Sequence, residues 1–182
     1  MKKSVLAVII VLFYGAFAFC GELQGLLKAA GQGDVDAQFN LGWMYAEGRG
    51  VPRDSKQAVY WYSRAAGQGD ASAQFNLGMM YDTGEGVARD DRQAAYWYAK
   101  AGGQGIAVAQ YNLGIMYDRG QGVVQSFQQA YLWLSLAAAQ GLEDAAETRD
   151  AVAKNLSPRQ LAQAQDLAAK MQYQIQHPPE SL

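Results

Sequence analysis

A 36-residue internal repeat constrains the fold of this chain more than any other feature of its 182-residue sequence. Segments 33–68 and 69–104 are identical at 23 of 36 positions when they are aligned without a gap. A third unit, 105–140, continues the same pattern, and a glycine recurs at every boundary. Because one such unit is too short to bury a core alone, successive units are expected to stack into a single elongated domain.

Each unit has the pattern of two helices joined by a turn. In the first unit, Ala37, Leu41 and Tyr45 recur at helical spacing and predict a first helix over about 36–46. A turn that contains two glycines and Pro52 interrupts this pattern. The second helix is expected to begin with a capping box and to end at a glycine. The predicted boxes are Asp54 with Gln57, Asp90 with Gln93, and Ser126 with Gln129.

The segments that flank the three units are expected to close the stack at both ends. Segment 22–32 resembles the end of a unit and predicts an N-terminal half-repeat cap. Segment 141–174 predicts a degenerate repeat and a C-terminal capping helix, which starts at Ser157 and Pro158. Such caps present a polar outer face that keeps repeat arrays soluble. Segment 175–182 is predicted to be a disordered tail.

The N-terminal residues have the layout of an export signal. Two lysines precede a ten-residue apolar run over 5–14, and small residues follow up to Ala18. This layout predicts a cleavable signal peptide over 1–18, with cleavage after Cys20 as a second option. The chain is therefore expected in the periplasm or outside the cell, after Sec-type export.

Two alternatives follow from the same N-terminal residues. The uncharged run over 4–21 is 18 residues long, which is just enough for a short membrane anchor. Cys20 could instead carry a lipid, although Phe19 stands where lipoprotein signals have a small residue. Membrane contact is expected only in these two cases, and all three alternatives place the repeats outside the cytoplasm.

Composition excludes several classes of function. The chain has 15 Lys and Arg against 17 Asp and Glu, so no basic excess is available for nucleic-acid binding. A single cysteine precludes an intramolecular disulfide and a multi-cysteine zinc site. The single histidine, His177, leaves every serine without an obvious base. We therefore expect no catalytic residue, no cofactor and no metal site.

The repeated motifs resemble those of the Sel1-like repeat family, a relative of the tetratricopeptide repeat. The resemblance rests on A-Q-F-N-L-G-W-M-Y at 37–45, G-R-G-V at 48–51 and A-V-Y-W-Y-S-R-A-A at 58–66. Similar blocks recur in the next two units, so the resemblance covers about 23–140. It implies an all-α fold, a right-handed α-solenoid of helix-turn-helix repeats, which is used for protein–protein contacts and not for catalysis.

One surface of the first helices is predicted to bind a partner. Helix geometry places Phe39 and Trp43 nearly opposite the stripe that faces the core. The resemblance to tetratricopeptide-like folds implies that first helices line a concave groove. The predicted apolar ladder along this groove consists of Phe39, Trp43, Phe75, Met79, Tyr111 and Ile115. Its predicted acidic edge consists of Asp36, Asp82 and Asp118. The alternative is that these side chains pack against the next unit.

These observations predict an exported, non-enzymatic scaffold that holds a protein or peptide partner in its concave groove. The acidic edge is expected to favour basic or amide groups of that partner. A rival hypothesis is an envelope enzyme or inhibitor that acts on peptidoglycan or β-lactams, although no serine is followed by a lysine in the S-x-x-K pattern. A third hypothesis is a permanent subunit of an envelope complex.

Overall fold

The computed structural model describes residue 21 and residues 23–178. The expected signal segment 1–18 and Cys20 lie outside the described residues, as do residues 179–182 of the expected tail. Within the described part, every regular element is a helix, in agreement with the predicted all-α class. None of these helices is both long enough and apolar enough to cross a membrane.

The described chain folds into nine helices arranged as consecutive pairs. Helix α1 covers 23–31 and lies before the first pair. The three pairs are α2 (Val35–Glu47) with α3 (Ser55–Gly67), α4 (Ala71–Thr83) with α5 (Asp91–Gly103), and α6 (Ala107–Arg119) with α7 (Phe127–Ala139). Two further helices follow, α8 (Glu143–Ala153) and α9 (Pro158–Gln176). The first helix of unit one is thus one residue longer at each end than the 36–46 that its sequence predicted.

Local sequence explains where the first helices begin and end. The Asp34 carboxylate accepts a hydrogen bond of 2.7 Å from the Ala37 N–H at the start of α2, and Asp70 caps α4 in the same way. At the other end, Gly48 has a φ of +69° and its N–H donates to the Met44 carbonyl. Because glycine adopts this left-handed conformation without strain, α2 ends there and the chain turns back.

The predicted capping boxes of the second helices are only half formed. The Asp54 carboxylate accepts from the Gln57 N–H as expected, at 3.1 Å. The Asp54 N–H, however, donates to the Tyr45 carbonyl at 2.9 Å and not to the Gln57 side chain. This bond joins the turn to the preceding helix, and equivalent bonds form at Asp90 and Ser126. The complete box is found at the start of α9, between Ser157 and Gln160.

The two helices of each unit approach closely at a glycine. Gly78 of α4 faces Tyr98 of α5, and a β-carbon at this glycine would lie 2.9 Å from the tyrosine ring. Gly42 faces Tyr62 in the first unit, and Gly114 faces Leu134 in the third. The bulky partner fills the space that the missing side chain leaves, so each pair packs as one unit.

A series of buried glutamines connects the second helix of one unit to the first helix of the next, a feature that the sequence analysis did not single out. Gln74 is 4% exposed, and its Nε2 donates to the Ala66 carbonyl at 3.1 Å. Its Oε1 accepts from Gln104 Nε2 at 2.8 Å. Each buried amide therefore has a donor and an acceptor partner, as burial of a polar group requires.

The same contacts recur in the neighbouring units. Gln38 bonds to the Ala30 carbonyl and to Gln68, while Gln110 bonds to the Gly102 carbonyl and to Gln140. We call these glutamines, with Gln74 and Gln104, the glutamine ladder. Its recurrence every 36 residues was visible in the sequence. The ladder ends at Gln140, because the degenerate fourth unit has Ala146 at the equivalent position.

The C-terminal helix packs along α7 rather than pairing with α8. Leu132 of α7 is 6% exposed and shares a buried cluster with Ala168 of α9. This contact explains why the third unit has Leu132 at the position where the earlier units have the exposed Tyr60 and Tyr96. The helix also continues past the predicted end at 174: Ile175 is helical, half-buried and packed on the same cluster. The expectation of a disordered tail from 175 is therefore wrong for its first two residues.

Candidate partner-binding surface

Three of the six predicted ladder residues contact the core. The ring centroid of Phe39 lies 5.8 Å from that of Tyr62, and that of Phe75 lies 5.9 Å from that of Tyr98. Tyr111 is half-buried and packs on a cluster of the third unit. The two aromatic contacts join the first and second helices of the same unit, so part of each side chain serves packing within its own unit. The alternative of packing against the next unit is a different contact.

The other three residues mark the outward side of the first helices. Trp43 is 38% exposed and Met79 is 42% exposed, whereas Ile115 is half-buried. These residues occupy equivalent positions of consecutive units and define what we call the first-helix surface. The Arg49 guanidinium lies over the Trp43 ring, 4.4 Å from its centroid, in the geometry of a cation–π contact. The first-helix surface thus begins with a charged group stacked on an aromatic ring.

The three predicted acidic residues do not form one edge. Asp36 is exposed in the first turn of α2, whereas Asp82 and Asp118 lie in the last turns of α4 and α6. A helix of this length separates its two ends by about 18 Å. Asp36 therefore lies at the opposite end of the first helices, and only Asp82 and Asp118 share a side of the molecule.

A cavity between the second and third units brings three predicted residues together. It has a volume of about 420 Å³ and lies where the turn after α4 meets α6. Asp82, Tyr111 and Ile115 line it, together with two residues that the sequence analysis missed, Arg89 and Arg119. We call it the second-junction cavity. It joins the apolar first-helix surface to a group of charged side chains.

Two of the charged groups in this region are already paired. Arg89 Nε donates to Asp91 Oδ1 at 2.9 Å, and this bond lowers the pKa of the Asp91 carboxyl. Asp82 accepts two long hydrogen bonds, 3.4 Å from the Tyr98 hydroxyl and 3.5 Å from Gln121 Nε2. Burial, and to a lesser extent the Asp82 charge, raises the pKa of Tyr98.

Arg119 differs from these groups, because no carboxylate lies within ion-pair distance of it among residues 21 and 23–178. It is the last residue of α6, where a positive charge is favoured by the helix dipole. The equivalent positions in the first two units are Glu47 and Thr83. A comparison of the charges that differ between units would have found Arg119, whereas a search for identical positions passes over it.

The first junction shows how a carboxylate fits at this place in the fold. Glu85 Oε1 accepts from Ser55 Oγ at 2.8 Å and pairs with the Arg53 guanidinium. These hydrogen bonds, with the one from Ser55 the larger cause, lower the pKa of Glu85. The residue equivalent to Glu85 in the third unit is the neutral Gln121. At the second junction the equivalents of Ser55 and Arg53 are Asp91 and Arg89, which pair with each other at 2.9 Å. Both junctions therefore contain a carboxylate of the protein itself, but it comes from the later unit at the first junction and from the earlier unit at the second.

The described residues contain no group of three His, Cys, Asp or Glu side chains placed to hold a metal ion. The second-junction cavity instead combines charged side chains with polar and apolar ones. Their arrangement, next to exposed apolar groups, is typical of a recognition surface.

A family model for the Sel1 repeat matches residues 35–70, 71–106 and 107–142, which together make up more than half of the chain. Each matched segment starts two residues later than the units defined from sequence identity. No curated protein sequence matches the chain. Proteins of the Sel1 repeat family are generally non-catalytic scaffolds for protein interactions.

Solved structures agree with the family model. A Sel1 repeat protein from Oxalobacter formigenes is 40% identical, with a TM-score of 0.65 over 71% of this chain and 97% of that protein. The protective antigen c5321 of uropathogenic Escherichia coli, which displays an SLR fold, is 30% identical, with a TM-score of 0.52 over 88% of this chain and 44% of that antigen. Cysteine rich protein B of Helicobacter pylori is 23% identical, with a TM-score of 0.55 over 73% of this chain and 96% of that protein, a likeness in fold alone. With three consecutive repeats matched and the same helical solenoid, this chain belongs to the Sel1 repeat family.

Proposed function

We propose that this protein is an exported, non-enzymatic scaffold that holds a protein or peptide partner on its first-helix surface. The observation that carries the proposal is the exposure of Trp43 and Met79, two large apolar side chains at equivalent positions of adjacent units. Large side chains of this kind, when they are covered by a partner, contribute most of the binding energy at protein interfaces. The second-junction cavity continues this surface and supplies polar contacts.

Loss of the two exposed side chains is expected to abolish partner binding without unfolding the scaffold. We predict that the double variant Trp43→Ser/Met79→Ser recovers a specific partner at least about tenfold less efficiently than the wild type, since removal of one hot-spot side chain alone typically costs that much. The measurement is in-cell crosslinking followed by affinity capture and mass spectrometry. Phe39 is left intact, because its contact with Tyr62 makes it part of the fold.

The matched control is Tyr60→Ser/Tyr96→Ser. These tyrosines are 48% and 50% exposed, but they lie on the second helices, where each packs edge-on against the neighbouring tryptophan. The control removes a similar apolar area from a different side of the molecule. Circular dichroism checks that both variants remain helical. Equal recovery by the wild type and both variants would contradict the proposal.

Export is supported by the N-terminal sequence alone, the lysines and the apolar run that precede Ala18. We expect protein purified from the cell envelope or medium to begin at residue 19, or at residue 21 if cleavage follows Cys20. N-terminal sequencing with intact mass measurement decides between these and a retained or lipidated segment. Recovery of the uncleaved chain in the cytoplasmic fraction would overturn this part of the proposal.

A further inference from the structure

We propose that a second copy of this chain docks on the outer side of α3 and α5, and that the acidic helix α8 of that copy makes the contact. The docking surface, which we call the basic tyrosine face, consists of six exposed residues at equivalent positions of the first two units: Lys56, Tyr60, Arg64, Arg92, Tyr96 and Lys100. The inference goes beyond the proposed function, because this face lies on the second helices and the second copy is distinct from the partner held on the first-helix surface.

The third unit shows that a helix fits on this side of a second helix. In α7 the equivalent positions are Gln128, Leu132 and Leu136. The two leucines are 6% and 2% exposed and share a buried cluster with Ala168 of α9, while Gln128 Nε2 donates to Gln163 Oε1 at 3.3 Å. In the first two units no helix of the described chain covers the equivalent tyrosines, which stay about half exposed.

The cations of the basic tyrosine face have no acidic partner. None of the four forms an ion pair within the part of the chain that the structure describes. Arg64 instead donates to the Tyr60 hydroxyl at 3.0 Å, and Lys100 Nζ lies 5.7 Å from the centroid of the Tyr96 ring. A cation stacked on an exposed aromatic ring remains available to a carboxylate from outside.

The carboxylates within two residues of this face are already engaged. Asp54 and Asp90 cap α3 and α5 and accept hydrogen bonds from backbone N–H groups of the first turn. Asp91 pairs with Arg89 at 2.9 Å. The four cations outnumber the two capping carboxylates, so the face keeps a net positive charge and favours an acidic occupant.

Helix α8 supplies the complementary charge. Its exposed residues Glu143, Glu147 and Asp150 recur at i, i+4 and i+7 and therefore share one side of the helix. Asp150 pairs with Arg149, but this pair is exposed, so its exchange for another cation costs little. Seven positions separate the outer two carboxylates, and eight separate the two cations on each of α3 and α5, so both spans are about 11–12 Å. One α8 can therefore meet both cations of one helix at once.

This side of α8 is also unpartnered. Glu147 and Asp150 stand at the positions of Phe39 and Gly42, which contact Tyr62 of the second helix in the first unit. Because α9 packs along α7 instead, the acidic side of α8 stays exposed within the described chain. The two surfaces differ, so copies would join head to tail rather than as a symmetric dimer.

The test is analytical ultracentrifugation of the purified protein. At about 0.3 mM protein and low salt, we expect an average mass at least about 1.5-fold that of the monomer, and a return to the monomer mass at about 0.5 M salt. Two variants should stay monomeric at low salt: Lys56→Gln/Arg64→Gln/Arg92→Gln/Lys100→Gln and Glu143→Gln/Glu147→Gln/Asp150→Asn. An equimolar mixture of the two should associate again, because each variant keeps the surface that the other lacks.

The matched control removes four positive charges from other parts of the chain and should associate as the wild type does: Lys28→Gln/Arg49→Gln/Arg119→Gln/Arg159→Gln. Trp43→Ser/Met79→Ser should also associate normally, so failure of this inference is distinguishable from failure of the scaffold proposal. A monomeric wild type, association that either face variant retains, or a mixture that stays monomeric would overturn the inference. A monomeric wild type that binds phosphatidylglycerol vesicles through the four cations would assign the face to a membrane instead.

Discussion

Replacement of Gly86 by alanine is expected to destabilise the fold more strongly than the same replacement at Gly84, two residues earlier. Gly86 lies in the turn between α4 and α5 with a φ of +72°, a conformation that costs alanine about 1–2 kcal/mol. Its β-carbon would also overlap the main-chain carbonyl of Ser55 in the preceding unit. Because a backbone atom cannot move aside without shifting the whole unit, we expect this overlap to lower the free energy of unfolding by at least about a further 2 kcal/mol. Urea unfolding measures the total.

Gly84→Ala separates the two causes. Gly84 has nearly the same φ, +75°, but its nearest neighbour to an added β-carbon is the Arg89 side chain at 3.2 Å. This variant should lose only the conformational part, about 1–2 kcal/mol. An equal loss of stability in Gly84→Ala and Gly86→Ala would contradict the close contact between Gly86 and the Ser55 carbonyl of the preceding unit.

Replacement of Gln74 by leucine is expected to cost about 2–4 kcal/mol, although leucine has a similar volume and is more apolar. The change leaves the buried Ala66 carbonyl without its donor and Gln104 without its acceptor. The loss of these partners outweighs the gain in hydrophobic burial, because an unpaired buried polar group carries its full desolvation penalty. Urea unfolding of the variant and the wild type measures this difference.

The control for the glutamine ladder is Gln93→Leu. Gln93 is exposed in the first turn of α5, and its side chain makes no hydrogen bond within the described chain. We expect its stability to stay within about 0.5 kcal/mol of the wild type. A Gln74→Leu variant as stable as Gln93→Leu would mean that apolar stacking, rather than the glutamine ladder, holds the units together.

The helices and their pairing were predictable because the signals are local and repeated. Periodic apolar residues, glycine turns and N-terminal caps recur in three units, so each unit supports the interpretation of the others. The failure of the predicted capping box at Asp54 to form completely was not predictable, because the competing acceptor, the Tyr45 carbonyl, comes within reach of the Asp54 N–H only when the turn closes. The packing of α9 on α7 was predictable in part, because Leu132 and Leu134 replace tyrosines in the second helix of the third unit, as suits a position against a C-terminal cap.

The candidate site was predictable in part. Helix geometry correctly placed Trp43 and Met79 on an exposed side. It could not distinguish them from Phe39, whose ring reaches Tyr62 because of the way the two helices cross. The charged part of the site was missed for a different reason. Arg119 lies at a position where the units differ, with Glu47 and Thr83 as its equivalents, so a search for residues that recur every 36 positions does not find it.

The most direct test of the scaffold proposal is a photoreactive phenylalanine analogue incorporated singly at 43 or 79, and at 60 or 96 for comparison, followed by irradiation in living cells. We expect positions 43 and 79 to crosslink to the same partner protein, identified by mass spectrometry, and positions 60 and 96 not to crosslink to it. Crosslinking of a partner other than a second copy of this chain, from positions 60 and 96 alone, would place the binding surface on the second helices and overturn the scaffold proposal.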